Sequence, residues 1–398
     1  MAVILVGLLL ISSTPLFAAA DSPPIATASR VSTLDGLRGF LALSVLFHHA
    51  ALYHTYMADG RWLPPPDRLY AMLGPFGVSI FFMITGFLFW SQIIDKNGKP
   101  DWIRLYVGRV FRIGPIYWVA IGAMIISVCV LTGMHLHESL SAVAKEVFGW
   151  VWMGFVSGRP INGFVRTGDL IANVTWSLKY EWLFYGSLIA TSFFARHRVT
   201  AWLFPAAGLV GSLIFLTWLD LSGRQSWNGP FVALFFVGML TGSLRDRVAA
   251  INFGRIPYSA VAAALLVTVL AFFSTPYAPI PLCLLAGAFF LIANGATLFG
   301  LLTTVPARRL GDISFGIYLL QGLVLSAVFA TRQARDIALS SPLGHWTLVS
   351  GAALALIIIA TAAHALIERP GVEAGRQFLA WLRLTWSRSF RLRFQTKP

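Results

Sequence analysis

Apolar runs recur along the chain at roughly residues 34–53, 74–94, 113–133, 176–195, 201–219, 230–244, 258–273, 279–302, 312–330 and 346–366. Most approach the ~20 residues that an α-helix needs to cross the hydrocarbon of a bilayer. The pattern predicts ten transmembrane helices, of which 230–244 and 258–273 are short. Segments between runs are brief except 134–175, which is left to fold over the outer face. There is no internal repeat and no low-complexity tract.

Composition narrows the class. Of 398 residues, 57% are hydrophobic and 12% charged, with mean hydropathy +0.74, too apolar for one or two soluble cores. The expectation is an all-α polytopic membrane protein. A net charge of +14 would raise nucleic acid as a partner of a soluble protein, but here the cations sit mainly in short loops. If Arg30 is cytoplasmic, that side collects 20 Lys and Arg and the other collects eight, with Arg38 and Lys179 inside runs. The positive-inside rule then places both ends of the ten-helix unit in the cytoplasm and no nucleic-acid partner is expected. The tail after Pro370 alternates aromatic and basic residues, as suits contact with an anionic leaflet. The opening "MAVILVGLLLISSTPLFAAADS" resembles a signal peptide but lacks a basic n-region. Cleavage would also leave Arg30 outside, so an extra apolar segment or an over-extended start is expected. Cys129 and Cys283 lie inside apolar runs and form no disulfide framework.

The first run carries unusual polar groups. "STLDGLRGFLALSVLFHHAALY", residues 32–53, holds Asp35, Arg38, His48 and His49. Arg38 and His49 are eleven residues apart, so on a helix they lie about 20° apart in azimuth with about 16 Å of rise. His48 is turned about 80° from the Arg38 face, which makes His49 the better functional candidate. An arginine in a span costs about 2.5–3.5 kcal/mol at the bilayer centre, so this face should meet protein or water. Plainer readings stand beside that one: Arg38 snorkelling to headgroups, Asp35 capping the helix start, and a histidine held by structural hydrogen bonds.

"LDGLRGFLALSVLFHHA" resembles the opening of the acyltransferase family 3 proteins, membrane O-acyltransferases whose first helix carries Arg, ten residues, then His. Four further segments resemble that family in order. They are "GPFGVSIFFMITGFLFW" (74–90, with Thr85 where the family usually has Ser), "GRVFRIGPIYW" (108–118), "TWSLKYEWLFY" (175–185), and "DISFGIYLLQ" (312–321) followed by "IERP" (367–370). Gln321 stands where many members have His. The resemblance divides the chain into an N-terminal apolar segment (1–30), a membrane acyltransferase domain (31–370) and a basic cytoplasmic tail (371–398).

The resemblance implies transfer of an acyl group, most often acetyl, from cytoplasmic acyl-CoA to a hydroxyl of an extracytoplasmic or lipid-linked saccharide. It also implies a bacterial-type inner membrane location. The partners are then membrane lipid, acyl-CoA and a glycan acceptor, and a homo-oligomer is compatible with it. The residues suit such a reaction. A sugar hydroxyl needs a base in hydrogen-bond reach during attack, and His49, with an ordinary imidazole pKa of about 6.5, fits; an acyl-imidazole is the alternative. Arg38 is too far along the helix for direct contact with His49, which makes it an acyl-CoA ligand or a partner of Glu181 or Glu368, and only secondarily an oxyanion group. Arg109 and Arg112 share a helix face and suit the phosphates of CoA. Glu181 pairs with Arg38, His49 or Lys179, and can orient His49 or serve as a plain structural bridge. Trp176, Ser177, Tyr185 and Tyr318 are candidates for an acceptor channel. Asp35, Ser314, Gln321 and Glu368 are supporting groups, with Glu368 expected to lock its helix end by pairing with a neighbouring arginine. No metal is expected, because His135 and His137 lack a third ligand. The sequon at Asn173 stands at a run entrance and is set aside. The rival class is a glycan transporter; a scaffold would leave the buried polar groups without a purpose.

Overall fold

The computed structural model describes residues 1–21, 31–155, 158–224, 226 and 228–395, with side chains not described at 19, 20 and 386–395. Arg30, from which the orientation count starts, and Lys397 lie outside the described residues. Fifteen α-helices follow one another: α1 Ala2–Ser12, α2 Ser32–Asp59, α3 Arg68–Asp95, α4 Trp102–Leu131, α5 Leu140–Val151, α6 Trp176–Thr191, α7 Arg198–Leu221 and α8 Gly229–Leu244. Then come α9 Ile256–Phe272, α10 Pro279–Ala293, α11 Val305–Asp312, α12 Ser314–Val328, α13 Arg332–Ser340, α14 Pro342–Ala363 and α15 Arg369–Gln395. No strand occurs among the described residues.

Each of the ten apolar runs lies on a helix, but the count of membrane crossings does not follow. Among the described residues, four helical stretches can cross by length and composition: Arg68–Asp95, Trp102–Leu131, Arg198–Leu221 and Pro342–Thr385. A fifth arises if α11 and α12, bent by 67°, are taken as one span. The physical reasons are polarity and length: α2 has 28 residues but carries Asp35, Arg38, His48 and His49, while α6, α8, α9, α10 and α12 are too short. At 1.5 Å per residue a 15-residue helix such as α10 covers about 22 Å, short of a ~30 Å core.

Helix starts follow local chemistry. Asp67 and Asp101 cap α3 and α4 by accepting from the backbone N–H of Tyr70 (3.1 Å) and Arg104 (2.9 Å). The cap of α2 is Val31, with no side-chain bond, so Asp35 is not the cap. It lies in the first turn instead, where the helix dipole favours a carboxylate.

Glycines let α2 sit at the centre of the packing. A Cβ on Gly36 would lie 2.0 Å from the Leu302 carbonyl oxygen, and one on Gly311 1.8 Å from that of Asp35. The "LDGLRG" glycines thus allow backbone contact between α2 and the α11 region. In the same way Gly86 and Gly238 bring α3 against α8.

The described residues of the long segment 134–175 carry secondary structure of their own. It contains α5 and a turn at Gly168–Ile171, whose backbone abuts Gly322 of α12. Tyr117 Oη donates to the Trp150 carbonyl at 2.7 Å, and Tyr53 Oη to that of Asp169 at 2.8 Å. The N-terminal segment is docked too. Arg309 donates to both carboxylate oxygens of Asp21 (2.6 and 2.9 Å) and to the carbonyls of Ser12 (3.0 Å) and Thr14 (2.8 Å).

Candidate active site

One cleft gathers most of the polar groups singled out from the sequence. It runs between α3, α4, α6 and α12, with Arg38 reaching in from α2. It encloses about 110 Å³, with about 870 Å³ of empty space when its open mouth is counted. Arg38, Arg109, Arg112, Ser177, Glu181, Tyr185, Ser314 and Tyr318 all line it, among apolar residues of α3 such as Phe81 and Phe89. Spacing explains the gathering. Arg109 and Arg112 lie three apart, and Ser177, Glu181 and Tyr185 lie four apart, so each set shares one helix face.

The lining carries three guanidinium groups against one carboxylate, with Asp35 and Asp312 near Arg38 outside it. All three arginines and Glu181 are half-buried. The Arg109 guanidinium lies 4.3 Å from the Phe89 ring centroid and 6.0 Å from that of Tyr185. Stacking on aromatic faces holds a guanidinium plane while leaving N–H donors at its edge free for a ligand. Tyr185 Oη donates to Glu181 at 2.9 Å, and the charges nearest Glu181 are Arg109, Arg38 and Arg112. Glu181 therefore belongs to the arginine cluster; the structure does not bring it to His49, and Lys179 is exposed.

His49 lies outside the cleft lining, buried further along α2. Its Nδ1 is 3.0 Å from the Val45 carbonyl oxygen. A carbonyl only accepts, so Nδ1 carries the proton and Nε2 keeps its lone pair, the tautomer that a base or nucleophile requires. Gln321 of α12 approaches the ring, and the His48 ring packs edge-on against it at 5.0 Å. Gln321 Nε2 donates to the Tyr318 carbonyl at 3.0 Å, while Gln321 Oε1 is buried without a hydrogen-bond partner. One helical turn of α12 therefore separates the end of the cleft at Tyr318 from His49. His48 is held differently: Nδ1 lies 2.8 Å from the Tyr70 carbonyl and the ring packs on Gly74.

Ser177 and Tyr318 close the cleft at that end, with Oγ and Oη 2.8 Å apart and Tyr318 Oη also donating to the Val174 carbonyl at 3.0 Å. Tyr185, expected in an acceptor channel, sits among the arginines instead. Trp176 stays out of the cleft and packs on Phe82, Tyr180 and Phe231. Ser314 lines the cleft with its hydroxyl buried and without a partner. Glu368 does not pair with an arginine: its Oε2 lies 3.3 Å from His364 Nδ1 across a π-type turn, and Arg369 reaches the Asp21 carbonyl. The i, i+4 spacing of His364 and Glu368 is the sequence signal for this pairing. The role of Phe89 beneath Arg109 had none, since it arises only when α3 meets α4.

Comparison with known proteins identifies the family of the chain. The profile of a family described as an acyltransferase domain matches residues 31–362. The exopolysaccharide production protein ExoZ of Rhizobium meliloti is 28% identical over 319 residues, covering 76% of this chain and 91% of that protein. Nodulation protein 10 of Rhizobium leguminosarum bv. viciae is 26% identical over 373 residues, covering 88% and 95%. A protein of Bacillus subtilis named as a putative peptidoglycan O-acetyltransferase, YrhL, is 28% identical over 158 residues, covering 38% and 22%. No solved structure matches.

Proposed function

The chain belongs to the acyltransferase 3 family, and from that premise we propose that it is a membrane O-acetyltransferase of the inner membrane. It takes an acetyl group from cytoplasmic acetyl-CoA and esterifies a hydroxyl of an extracytoplasmic or lipid-linked saccharide. Support for a saccharide acceptor comes from relatives named for exopolysaccharide production and peptidoglycan O-acetylation.

The observation that carries this reading is the arginine cleft one helical turn from a histidine in the base-competent tautomer. Arg109 and Arg112 hold the diphosphate or pantetheine end of the donor, bidentate N–H groups matching phosphate oxygens. Arg38 enters the same cleft from α2 and neutralises charge on the donor as the thioester advances. The thioester passes Tyr318 to reach His49. There Nε2 removes the proton of the attacking hydroxyl or takes the acetyl group itself. In the first course the hydroxyl oxygen bonds to the carbonyl carbon, the carbon–sulfur bond breaks, and the proton on His49 passes to the CoA thiolate. Gln321 approaches the His49 ring and its Oε1 is buried without a hydrogen-bond partner, an acceptor suited to a substrate hydroxyl. Glu181 and Tyr185 keep the arginines apart and oriented.

Purified protein incubated with labelled acetyl-CoA and a panel of oligosaccharides tests the reading. An acetyl ester on a saccharide is expected from wild type and is expected to be lost in Arg112→Ala and His49→Ala. Consumption of acetyl-CoA without any saccharide ester, or equal product from His49→Ala, contradicts it.

A further inference from the structure

A second cavity, of about 360 Å³, opens at the other end of the helices. Its position follows from α8. Arg245, just past the end of α8, pairs with Asp95 at the end of α3, so the start of α8 at Pro230 lies at the opposite face. That start, the end of α7 and the segment before α10 build the cavity from Leu216, Leu219, Asp220, Arg224, Thr275 and Tyr277. Its volume falls within the range of ~300–1,000 Å³ typical of small-ligand sites.

The chemistry of the wall selects a ligand class. One carboxylate, one guanidinium and three hydroxyl-bearing side chains, Ser226, Thr275 and Tyr277, offer donors and acceptors in mixture, which suits a polyol whose every hydroxyl both donates and accepts. The Arg224 guanidinium lies 5.6 Å from the ring centroid of Trp218, which is half exposed beside it. Apolar Leu216, Leu219, Pro230, Ala278 and Pro279 complete the wall and suit the C–H faces of a sugar ring, whereas a diphosphate would find one cation beside one carboxylate.

Tyr277 connects this cavity to the arginine cleft. It lines the outer cavity, packs edge-on against Phe231 at 5.5 Å, and has Ser79 of α3 and Tyr318 as polar neighbours. Tyr318 in turn lines the cleft and takes the Gln321 bond. Tyr277, Phe231 and Phe82, the last lining the cleft with its ring 5.5 Å from that of Phe231, therefore form an aromatic wall between the two cavities. Resting on the acyl-transfer reading above, we infer that the outer cavity is the docking vestibule for the acceptor saccharide, with Tyr277 the partition between acceptor and donor compartments.

The test uses the full-length protein in detergent with cellotetraose and chitotetraose as probes, binding being read by saturation-transfer NMR without acetyl-CoA. Wild type should bind at least one of them. The double variant Asp220→Asn/Arg224→Gln should bind it tenfold more weakly or worse at an unchanged melting temperature. In turnover the same variant should raise the acceptor KM about tenfold and leave the acetyl-CoA KM within twofold. Tyr277→Ala should raise acetyl-CoA hydrolysis severalfold in the absence of sugar, since water then enters the cleft. Failure of wild type to bind either sugar, or equal binding by the double variant, overturns the vestibule; unchanged hydrolysis in Tyr277→Ala overturns the partition. Wild type that binds sugar but never acetylates it overturns the acyl-transfer reading and leaves the site standing.

Discussion

Arg109 offers a graded test of the donor site. Its guanidinium is held 4.3 Å from the Phe89 centroid with Tyr185 on its flank, so charge and planarity can be removed separately. Arg109→Lys keeps the charge and loses ring stacking, worth ~0.5–2 kcal/mol, together with the bidentate fork. A loss of about 1–2 kcal/mol raises the acetyl-CoA KM roughly fivefold to thirtyfold. Arg109→Ala also loses a charge-assisted hydrogen bond worth about 1.5–3 kcal/mol, for a total near 3–4 kcal/mol and a rise of a hundredfold or more. Phe89→Leu keeps apolar bulk without the ring and should cost about 1 kcal/mol. Combined with Arg109→Lys it should add little further, because both changes remove the same contact. Steady-state KM for acetyl-CoA and inhibition by free CoA, with melting temperature as the folding control, measure the series. A folded Arg109→Ala protein with both constants within twofold of wild type would refute the donor assignment.

Other expected outcomes follow from individual contacts. His49→Ala should lower saccharide acetylation by at least about a thousandfold, the scale for losing a general base or nucleophile, while CoA binding stays near wild type. Gln321→Ala should lower kcat with little effect on acetyl-CoA KM, measured in the same assay, because the amide meets His49 and not the arginines. Gly311→Ala places a Cβ 1.8 Å from the Asp35 carbonyl oxygen, backbone that cannot swing aside; about 1–3 kcal/mol of stability should be lost, read as a lower melting temperature and yield. The hydrogen bonds from Arg309 hold the Asp21 carboxyl below its usual range. That contribution is therefore complete above the ordinary Asp value of ~3.9 and fades as pH falls through the depressed one. Protease nicking near Asp21 should rise only in acid for wild type and at neutral pH for Arg309→Ala.

Much of the cleft was legible because the informative residues recur at helical spacing within short motifs. Arg109 with Arg112, and Ser177 with Glu181 and Tyr185, declare their shared faces from sequence alone. The depth of those faces was not legible. Equal azimuth for Arg38 and His49 does not reveal that α12 carries Tyr318 across the cleft end and Gln321 over the histidine, which parts the two stations. Pairings across helices were likewise hidden: Glu181 with Tyr185 and the arginines, Glu368 with His364 instead of an arginine. Helix ends escaped the hydropathy pattern where backbone conformation decides them. The run read as 279–302 stops at Ala293, where Gly295 takes φ 122° and Leu298 and Phe299 also have positive φ. An apolar run shows what lipid or core would accept, not where the chain turns.

The central claim is that this protein passes an acetyl group from a donor on one side of the membrane to a saccharide on the other. Proteoliposomes with labelled acetyl-CoA outside and oligosaccharide enclosed inside test it directly. Labelled ester on the enclosed saccharide with wild type, and none with His49→Ala, is the predicted result. Escape of unmodified saccharide without label transfer would contradict the account and favour a transporter.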